Sequence, residues 1–279
     1  MQESRVVLIT GCSSGIGRAL AQELHKRGLR VYASARRPES LEDLTREGIY
    51  AIKLDVTSND DIQHALAQIQ QEAGHLDILI NNAGYGAMGP VAEMPMAEIR
   101  QEFETNVFAP VALIQAIAPY MIARRSGCIV NVGSVSGILT TPFAGVYCAT
   151  KAALHSLSDA LRMEFAPFNI KVVMVQPGAI RSNFGVNALA AVDRVIRAGS
   201  HYQAVEDGIR ARANASQRRA TPSTELAKLI ADNILKSDPP AVIRGGMGSA
   251  VMPTMKHLLP TVLLDKLLSR QFGLHRLKS

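Results

Sequence analysis

The sequence predicts an α/β fold, a doubly wound seven-stranded parallel sheet with helices on both faces. Short runs of β-branched and other apolar residues alternate with longer helical patterns, which is typical of repeated strand–helix–strand units. A hydrophobic share of 47% with only 5% aromatic residues suits helices packed on a sheet of Val, Ile and Ala. Because no linker separates the 279 residues into two parts, we expect a single domain over residues 1–279.

The seven predicted strands are 5–10, 30–35, 49–54, 76–80, 128–132, 170–176 and 241–244. The helical patterns lie near 15–27, 39–46, 58–73, 96–124, 145–166 and 222–236. Two segments depart from this alternation. Residues 183–220 are predicted to form a helical insertion over a ligand cleft, since insertions after strand ends lie where ligands bind. Residues 245–279 are rich in Met and Leu and are predicted to form a C-terminal lobe.

Charge and cysteine content exclude several classes of function. The formal net charge is +6, and most of that excess lies in residues 241–279, so a diffuse nucleic-acid-binding surface is not expected. Three cysteines, far apart, indicate a reducing compartment without a disulfide framework. Neither they nor the seven histidines have metal-ligand spacing, so no metal site is predicted. Without a signal-peptide pattern or a run of 18 apolar residues, we expect a cytoplasmic protein, at most peripheral to a membrane.

A glycine-rich turn follows the first strand. The segment T-G-C-S-S-G-I-G covers residues 10–17, and its glycines, Gly11, Gly15 and Gly17, are spaced differently from the G-x-G-x-x-G fingerprint. The physical reason for them is the same, because bare backbone lets a pyrophosphate approach and its charge meets the N-terminus of a helix. Such a turn is often only a tight connection, but its place after a first strand favours dinucleotide binding.

The end of the second strand predicts which dinucleotide is bound. An acid there would accept a hydrogen bond from the ribose 2′-hydroxyl of NAD, whereas the sequence is V-Y-A-S-A-R-R-P. Arg36 and Arg37 can hold a 2′-phosphate through paired hydrogen bonds, although surface arginines are more often merely solvated. The missing acid and the two bases both indicate NADP(H). Ser13 or Ser14 is a further candidate contact for the phosphate.

Tyr147 and Lys151 are four residues apart, which places a phenol and an ammonium on one helix face. A free phenol titrates near pH ~10, and a nearby cation lowers that pKa toward the range useful for acid–base catalysis. The Y-x-x-x-K pattern alone is common on solvated helices. Here Ser134 precedes it by thirteen residues and the glycine-rich turn lies upstream.

Together these motifs resemble the classical short-chain dehydrogenase/reductase family over residues 5–182. The resemblance implies a Rossmann-type nucleotide-binding domain and a catalytic tetrad of Asn106, Ser134, Tyr147 and Lys151. Ser134 is then expected to orient the substrate carbonyl and Tyr147 to donate or accept the proton. Lys151 is expected to hold the nicotinamide ribose and depress the Tyr147 pKa, and Asn106 to bind a water of the proton relay.

The resemblance also implies the remaining cofactor contacts and an assembly. Asp55 and Val56 are expected beside the adenine, and N-N-A-G is expected to close over the cofactor, although either motif alone could be a helix cap or an Asx turn. The family also implies a homodimer or homotetramer. The complete set of expected cofactor-binding residues is Gly11, Ser13, Ser14, Gly15, Ile16, Gly17, Arg36, Arg37, Asp55, Val56, Asn82, Ala83, Gly84, Tyr147, Lys151, Pro177, Gly178 and Ile180.

Substrate class is predicted from the apolar segments beside the cleft and from Met247, Met252 and Met255. They indicate a hydrophobic carbonyl or alcohol, lipid-, steroid- or retinoid-like. The core is similar to hydroxysteroid and retinol dehydrogenases, and the tail to acyl-dihydroxyacetone-phosphate reductases. The alternatives are a 3-oxoacyl-thioester reductase and a catalytically silent NADP(H)-binding sensor or scaffold. The amphipathic segment 260–276 could pack on the protein's own core or across a dimer, or contact anionic lipid.

Overall fold

The seven apolar runs form one parallel sheet in a computed structural model that describes residues 4–277. The strand order is β3-β2-β1-β4-β5-β6-β7, which confirms the predicted fold class. The strands are β1 Val6–Ile9, β2 Arg30–Ala35, β3 Tyr50–Lys53, β4 Ile78–Asn81, β5 Gly127–Val132, β6 Ile170–Pro177 and β7 Val242–Gly245. They lie within about two residues of the predicted ranges at each end, since strand ends fray into the connecting turns.

The order of the strands creates a crevice at the carboxyl end of the sheet. The chain winds outward from β1 to β3, crosses back, and winds in the other direction from β4 to β7. β1 therefore pairs with both β2 and β4, with Val7 opposite Val31 on one side and Ile78 on the other. The connections after β1 and β4 leave in opposite directions, and ligands of open parallel sheets bind in the resulting gap.

Helices cover both faces of the sheet because alternate strand residues point to opposite sides. The helices are α1 Gly15–Lys26, α2 Glu42–Arg46, α3 Asn59–Ala73, α4 Met96–Phe103, α5 Ala109–Arg124, α6 Gly145–Phe165, α7 Phe184–Val195, α8 Glu206–Ala213, α9 Ser223–Ile234, α10 Val251–Leu258 and α11 Thr261–Gln271. Val7 and Ile9 pack against α1, α2 and α9, whereas Val6 and Leu8 pack against α3, α5 and the end of α6.

The helix predicted over 96–124 is interrupted by a wide turn. Residues Glu104–Phe108 form a π-helical turn between α4 and α5, a feature that concentrates at functional positions. Within the described part of the chain, Met96–Arg124 is the one helical segment whose length and apolar composition would suit a membrane span. Its inward side chains, among them Leu113, Ile117 and Met121, pack on the sheet.

The two irregular segments pack against each other above the carboxyl end of the sheet. Residues 183–220 contain α7 and α8, and residues 245–277 contain α10 and α11; the last two residues of the predicted lobe lie outside the described chain. Ile209 of α8 and Leu264, Leu268 and Phe272 of the C-terminal segment join Tyr147 in one apolar cluster. This cluster closes one end of the crevice.

Helix α11 has apolar residues on two sides. Leu264 and Leu268 are buried against the protein, which is the internal packing considered for segment 260–276. Val262, Leu263 and Leu267 are exposed, with 81% of Val262 accessible to solvent. Contact of this outer side with lipid or with a second copy stays a prediction.

The contact between α8 and the C-terminal segment can be tested at Gly208. A methyl group there would lie 2.1 Å from the carbonyl oxygen of Phe272, so Gly208→Ala must displace backbone. Alanine favours a helix by up to about 1 kcal/mol, but overpacking of this kind costs more, and we expect a net loss of about 1–2 kcal/mol in the free energy of unfolding. Urea unfolding measures the change. Lys228→Ala, on the exposed side of α9, is the control; equal stability of the two variants would contradict the close contact.

Candidate active site

One large cavity of about 1150 Å³ lies at the carboxyl end of the sheet and extends beneath α7, α8 and the C-terminal helices. Seventeen of the twenty residues expected to bind the cofactor or form the tetrad line it. They are Gly11, Ser13, Ser14, Gly15, Ile16, Arg36, Asp55, Val56, Asn82, Ala83, Gly84, Ser134, Tyr147, Lys151, Pro177, Gly178 and Ile180. Gly17, Arg37 and Asn106 are not part of its wall.

The glycine-rich turn is fixed by the end of β4. Gly11 has a φ of +72°, and a side chain there would meet the Cα of Ala83 at 2.9 Å, so only glycine suits the position. The amide of Asn82 donates to the carbonyls of Thr10 at 2.8 Å and Gly11 at 3.1 Å. Gly17 lies beneath the turn against these same groups rather than in the cavity. The resulting cradle of bare backbone at the N-terminus of α1 fits a pyrophosphate.

The two arginines after β2 occupy different places. Arg36 is exposed and lines the cavity. Arg37 is also exposed but lies outside it, and its carbonyl accepts a hydrogen bond from the hydroxyl of Ser40 at 2.7 Å. Of the two arginines expected to bind the cofactor, Arg36 thus lies on the cavity wall and Arg37 does not, and contact with the cofactor stays a prediction for both. Arg37 immediately precedes the turn Pro38–Leu41.

Asp55 follows β3 at the same edge of the cavity. One of its carboxylate oxygens accepts hydrogen bonds from the backbone N–H of Thr57 at 3.0 Å and from the hydroxyl of Thr57 at 2.8 Å. This is the Asx-turn arrangement that the motif alone could also have indicated. An Asx turn is compatible with the predicted contact to the adenine, because the turn holds the carboxylate on the cavity wall.

Asn106 lies behind the cavity in the π-helical turn and is fully buried. Its amide nitrogen donates to the carbonyl of Tyr85 at 2.7 Å and to the hydroxyl of Thr150 at 3.0 Å. Its amide oxygen accepts the backbone N–H of Tyr85 at 2.9 Å. Asn106 thus ties the loop after β4 to the helix that carries Tyr147, and its binding of a water stays a prediction.

Lys151 and Tyr147 lie side by side on α6, facing the cavity. The ammonium of Lys151 donates to the carbonyl of Val132 at 2.9 Å and lies 5.9 Å from the centre of the Tyr147 ring. The ring of Phe184, the first residue of α7, packs at 5.2 Å from that of Tyr147. Both members of the pair are at least nine-tenths buried.

Burial determines the acid–base properties of this pair. It raises the pKa of Tyr147 to about 12, against smaller opposing effects of the Ser134 hydroxyl and the Arg212 cation. It lowers the pKa of Lys151 to about 8, opposed by the carboxyl of Glu102. The protein's own groups therefore do not depress the Tyr147 pKa as the Y-x-x-x-K spacing led us to expect. The reason is that loss of water destabilises the phenolate and the ammonium alike.

Glu102 was missed by the motif analysis although it belongs to this cluster. It is fully buried; one carboxyl oxygen accepts the backbone N–H of Ala87, and the other has no hydrogen-bond partner among residues 4–277. Burial raises its pKa to about 8, with Ala87 and Lys151 acting in the opposite direction. Its position four residues before Asn106 on a helical segment was the signal that could have identified it.

Ser134 forms hydrogen bonds through both its side chain and its backbone. Its hydroxyl accepts the backbone N–H of Ser136 at 3.0 Å, and its own N–H points to Nε2 of His155 at 3.5 Å. Burial and the nearby Lys151 lower the pKa of His155 to about 4, so the imidazole is neutral and can accept. His155 thus supports the serine and does not line the cavity.

The far end of the cavity is formed by the insertion and the C-terminal lobe. Its apolar wall includes Leu139, Phe184, Met252, Met255, Leu268 and Phe272. At its mouth the Arg194 guanidinium binds Glu98 at 2.7 Å and the Tyr85 hydroxyl at 2.7 Å, which joins α4 to α7. Arg212 also reaches this wall from α8.

Comparison with known proteins agrees with this geometry. The chain is 39% identical over 271 residues to a short-chain dehydrogenase of Penicillium ochrochloron, an alignment that covers 93% of this chain and 97% of the relative. It is 38% identical over 185 residues to a 3-ketodihydrosphingosine reductase of Bacteroides thetaiotaomicron, covering 66% of this chain and 67% of that protein. A short-chain dehydrogenase structure from Streptomyces avermitilis superposes with a TM-score of 0.81 at 32% identity, covering 98% of both chains. The short chain dehydrogenase family profile matches residues 5–192, and the protein belongs to this family of oxidoreductases.

Proposed function

We propose that the protein is an NADP(H)-dependent oxidoreductase that interconverts a ketone or aldehyde and an alcohol on a hydrophobic substrate. The observation that carries this proposal is that Tyr147, Lys151 and Ser134 line the same cavity as the glycine-rich turn. One continuous space thus contains a cradle for a dinucleotide and a proton donor. When bound, the nicotinamide supplies or accepts the hydride, and the protein provides position and charge.

The choice of NADP(H) rests on the edge of the cavity beyond β2. Arg36 is the first residue after that strand, and no acid stands beside it to accept from a ribose hydroxyl. A guanidinium at this place favours the extra phosphate through charge and paired hydrogen bonds. Arg36 forms no ion pair with any carboxylate within residues 4–277, so its charge is available to a phosphate.

Reduction is the direction that the buried phenol suits. With its pKa raised to about 12, Tyr147 carries its proton at neutral pH and can donate it to the carbonyl oxygen as that oxygen gains charge. The hydroxyl of Ser134, on the same wall, orients that oxygen. Lys151 brings positive charge next to the phenolate that forms, and this favours the proton transfer.

The substrate class follows from what surrounds the rest of the cavity. Methionine and leucine side chains of the C-terminal helices and Phe184 of α7 form an adaptable apolar wall. The similarity to a 3-ketodihydrosphingosine reductase also supports a lipid-like ketone. The cover formed by α7, α8 and α11 disfavours an open cleft for a carrier-bound thioester, and the complete tetrad disfavours a silent sensor.

The role of Tyr147 can be tested by removing one oxygen. Tyr147→Phe should bind NADPH with unchanged affinity but reduce a medium-chain ketone at least about 100-fold more slowly, because positioned proton donors contribute 10²–10⁴-fold. NADPH fluorescence measures binding and NADPH consumption measures turnover. Tyr120→Phe, at an exposed site on α5, is the matched control. Turnover by Tyr147→Phe at the wild-type rate would require another proton donor.

Cofactor preference can be tested by separating the two arginines. We expect the wild type to bind NADPH at least about tenfold more tightly than NADH, which is about 1.4 kcal/mol. Arg36→Ala should remove most of that ratio, whereas Arg37→Ala should preserve it, since Arg37 lies outside the cavity. The dissociation constants of NADPH and NADH, measured for the wild type and for each variant, give this ratio. A ratio unchanged in Arg36→Ala would place the selectivity elsewhere.

The pH dependence of stability tests the buried carboxyl. Because the pKa of Glu102 is raised to about 8 from 4.5, the folded protein holds more protons than the unfolded chain between these values. Its contribution to stability is therefore present at low pH and lost as pH rises through that window. The pKa of Lys151 is lowered to about 8 from 10.5. Its titration therefore changes the stability in the opposite direction, and only above pH 8.

Glu102→Gln keeps an oxygen for the Ala87 N–H but removes the titration. Between pH 5 and pH 7.5 the wild type should lose about 1–3 kcal/mol more unfolding free energy than this variant. Urea unfolding at the two pH values gives the comparison. Glu104→Gln, exposed and two residues away, should behave as the wild type. Identical pH dependence in Glu102→Gln and the wild type would refute the raised pKa.

A further inference from the structure

Arg212 places a buried guanidinium in the substrate half of the cavity. It is 7% exposed and lines the cavity from α8. Its Nε donates to the hydroxyl of Thr141 at 2.5 Å. None of the ion pairs within residues 4–277 involves Arg212. A cation withdrawn from water without an anionic partner is costly to the fold.

The other arginine on this wall shows the contrast. Arg194 is half exposed at the cavity mouth and its charge is met by Glu98 at 2.7 Å. Arg212 is deeper, and its side-chain hydrogen bond within residues 4–277 goes to the hydroxyl of Thr141, which does not neutralise its charge. A guanidinium has five N–H donors, so the N–H groups of Arg212 that are not directed at Thr141 can bond to a ligand.

The surroundings of Arg212 define where such a ligand would lie. Arg212 is near enough to Tyr147 for the two side chains to interact electrostatically. The apolar wall next to it includes Met252, Met255, Leu268 and Phe272. A ligand that meets both surfaces has an apolar body and a charged end, and its charged end is close to the atom that Tyr147 protonates.

We propose that Arg212 binds an anionic group of the substrate, a carboxylate or a phosphate, so that the substrate is an acidic amphiphile. This inference rests on the proposed function and narrows it from any hydrophobic carbonyl compound to one that carries an oxyanion. The planar fork of a guanidinium matches both acids through two parallel hydrogen bonds. The competing explanation is purely structural: the bond from Arg212 to Thr141 ties α8 to the loop before α6.

Binding of simple amphiphiles distinguishes these explanations without turnover. Decanoate, decyl phosphate and decan-1-ol have the same chain and differ at the head group. Isothermal titration of each into the full-length protein, with and without saturating NADPH, should show at least one acid binding at least about tenfold more tightly than the alcohol. The preferred acid identifies the head group. Equal affinity of all three for the wild type would overturn the proposal.

Two variants of Arg212 assign the preference to its charge. Arg212→Met should abolish it, whereas Arg212→Lys should retain part of it. Arg210→Gln removes a charge from the same helix at a site where Asp193 and Glu206 already pair it, and should keep the full preference. If Arg210→Gln and Arg212→Met lost the preference for the acid to the same extent, the preference would come from the overall positive charge of this region. That result would refute its assignment to Arg212. Circular dichroism confirms that each variant is folded.

A kinetic comparison separates this inference from the proposed function. Methyl 4-oxodecanoate and 4-oxodecanoate offer the same ketone and apolar tail, without and with a charged group near the ketone. Reduction of both at equal kcat/KM would contradict the role of Arg212 and leave the reductase proposal intact. A clear acid preference in binding, with neither ketone reduced under conditions in which NADPH binds, would uphold the role of Arg212 and count against the reductase.

Discussion

The site depends on the bond between the ends of β1 and β4. The hydroxyl of Thr10 accepts the backbone N–H groups of both Asn82 and Ala83 at 3.0 Å, while the Asn82 amide returns to the carbonyls of Thr10 and Gly11. These groups join the glycine-rich turn to the loop after β4 at the point where the winding of the sheet reverses. In the same loop, the backbone N–H of Tyr85 donates to Asn106. Asn106 in turn donates to Thr150, which lies on the same helix as Tyr147. A cradle for phosphate and a proton donor are therefore positioned by one chain of hydrogen bonds.

Burial of charge is the second constraint, and it sets the chemistry. Lys151, Glu102 and Arg212 are all nine-tenths or more buried around Tyr147, where desolvation disfavours every ionised form. The pKa of the Glu102 carboxyl rises to about 8 and the pKa of the Lys151 ammonium falls to about 8. The pKa of the Tyr147 phenol rises above its ordinary value. Ionisable groups held so far from their usual pKa values cost stability and concentrate at functional sites. Such a site responds strongly to a bound charge, because little water is present to screen it.

Most of the fold and the first half of the site could be predicted from sequence because they are local. Strands, the turn of residues 10–17 and the pair Tyr147–Lys151 follow from patterns a few residues long, and parallel strand ends then bring them together. Which of the adjacent residues Arg36 and Arg37 lines the cavity was not predictable, since both follow the same strand. The interruption at Glu104–Phe108 was likewise hidden within a long apolar helical pattern. The sign of the Tyr147 pKa shift depends on burial, which spacing does not report.

Arg212 shows why the cavity wall formed by the two irregular segments is the least predictable part of the site. In the sequence it is one of several arginines in a segment rich in Ala, Arg and Asn, and Arg210 and Arg212 differ by only two positions. On α8 that difference turns one toward solvent and its acidic partners and the other toward Thr141 and the cavity. The carbonyl of Phe272 packs on Gly208 of α8, so the C-terminal segment contributes to the placement of the arginine that faces the cavity. The lining of this end of the cavity is thus a tertiary property of two irregular segments, whereas the regular core supplies the glycine-rich turn and the pair Tyr147–Lys151.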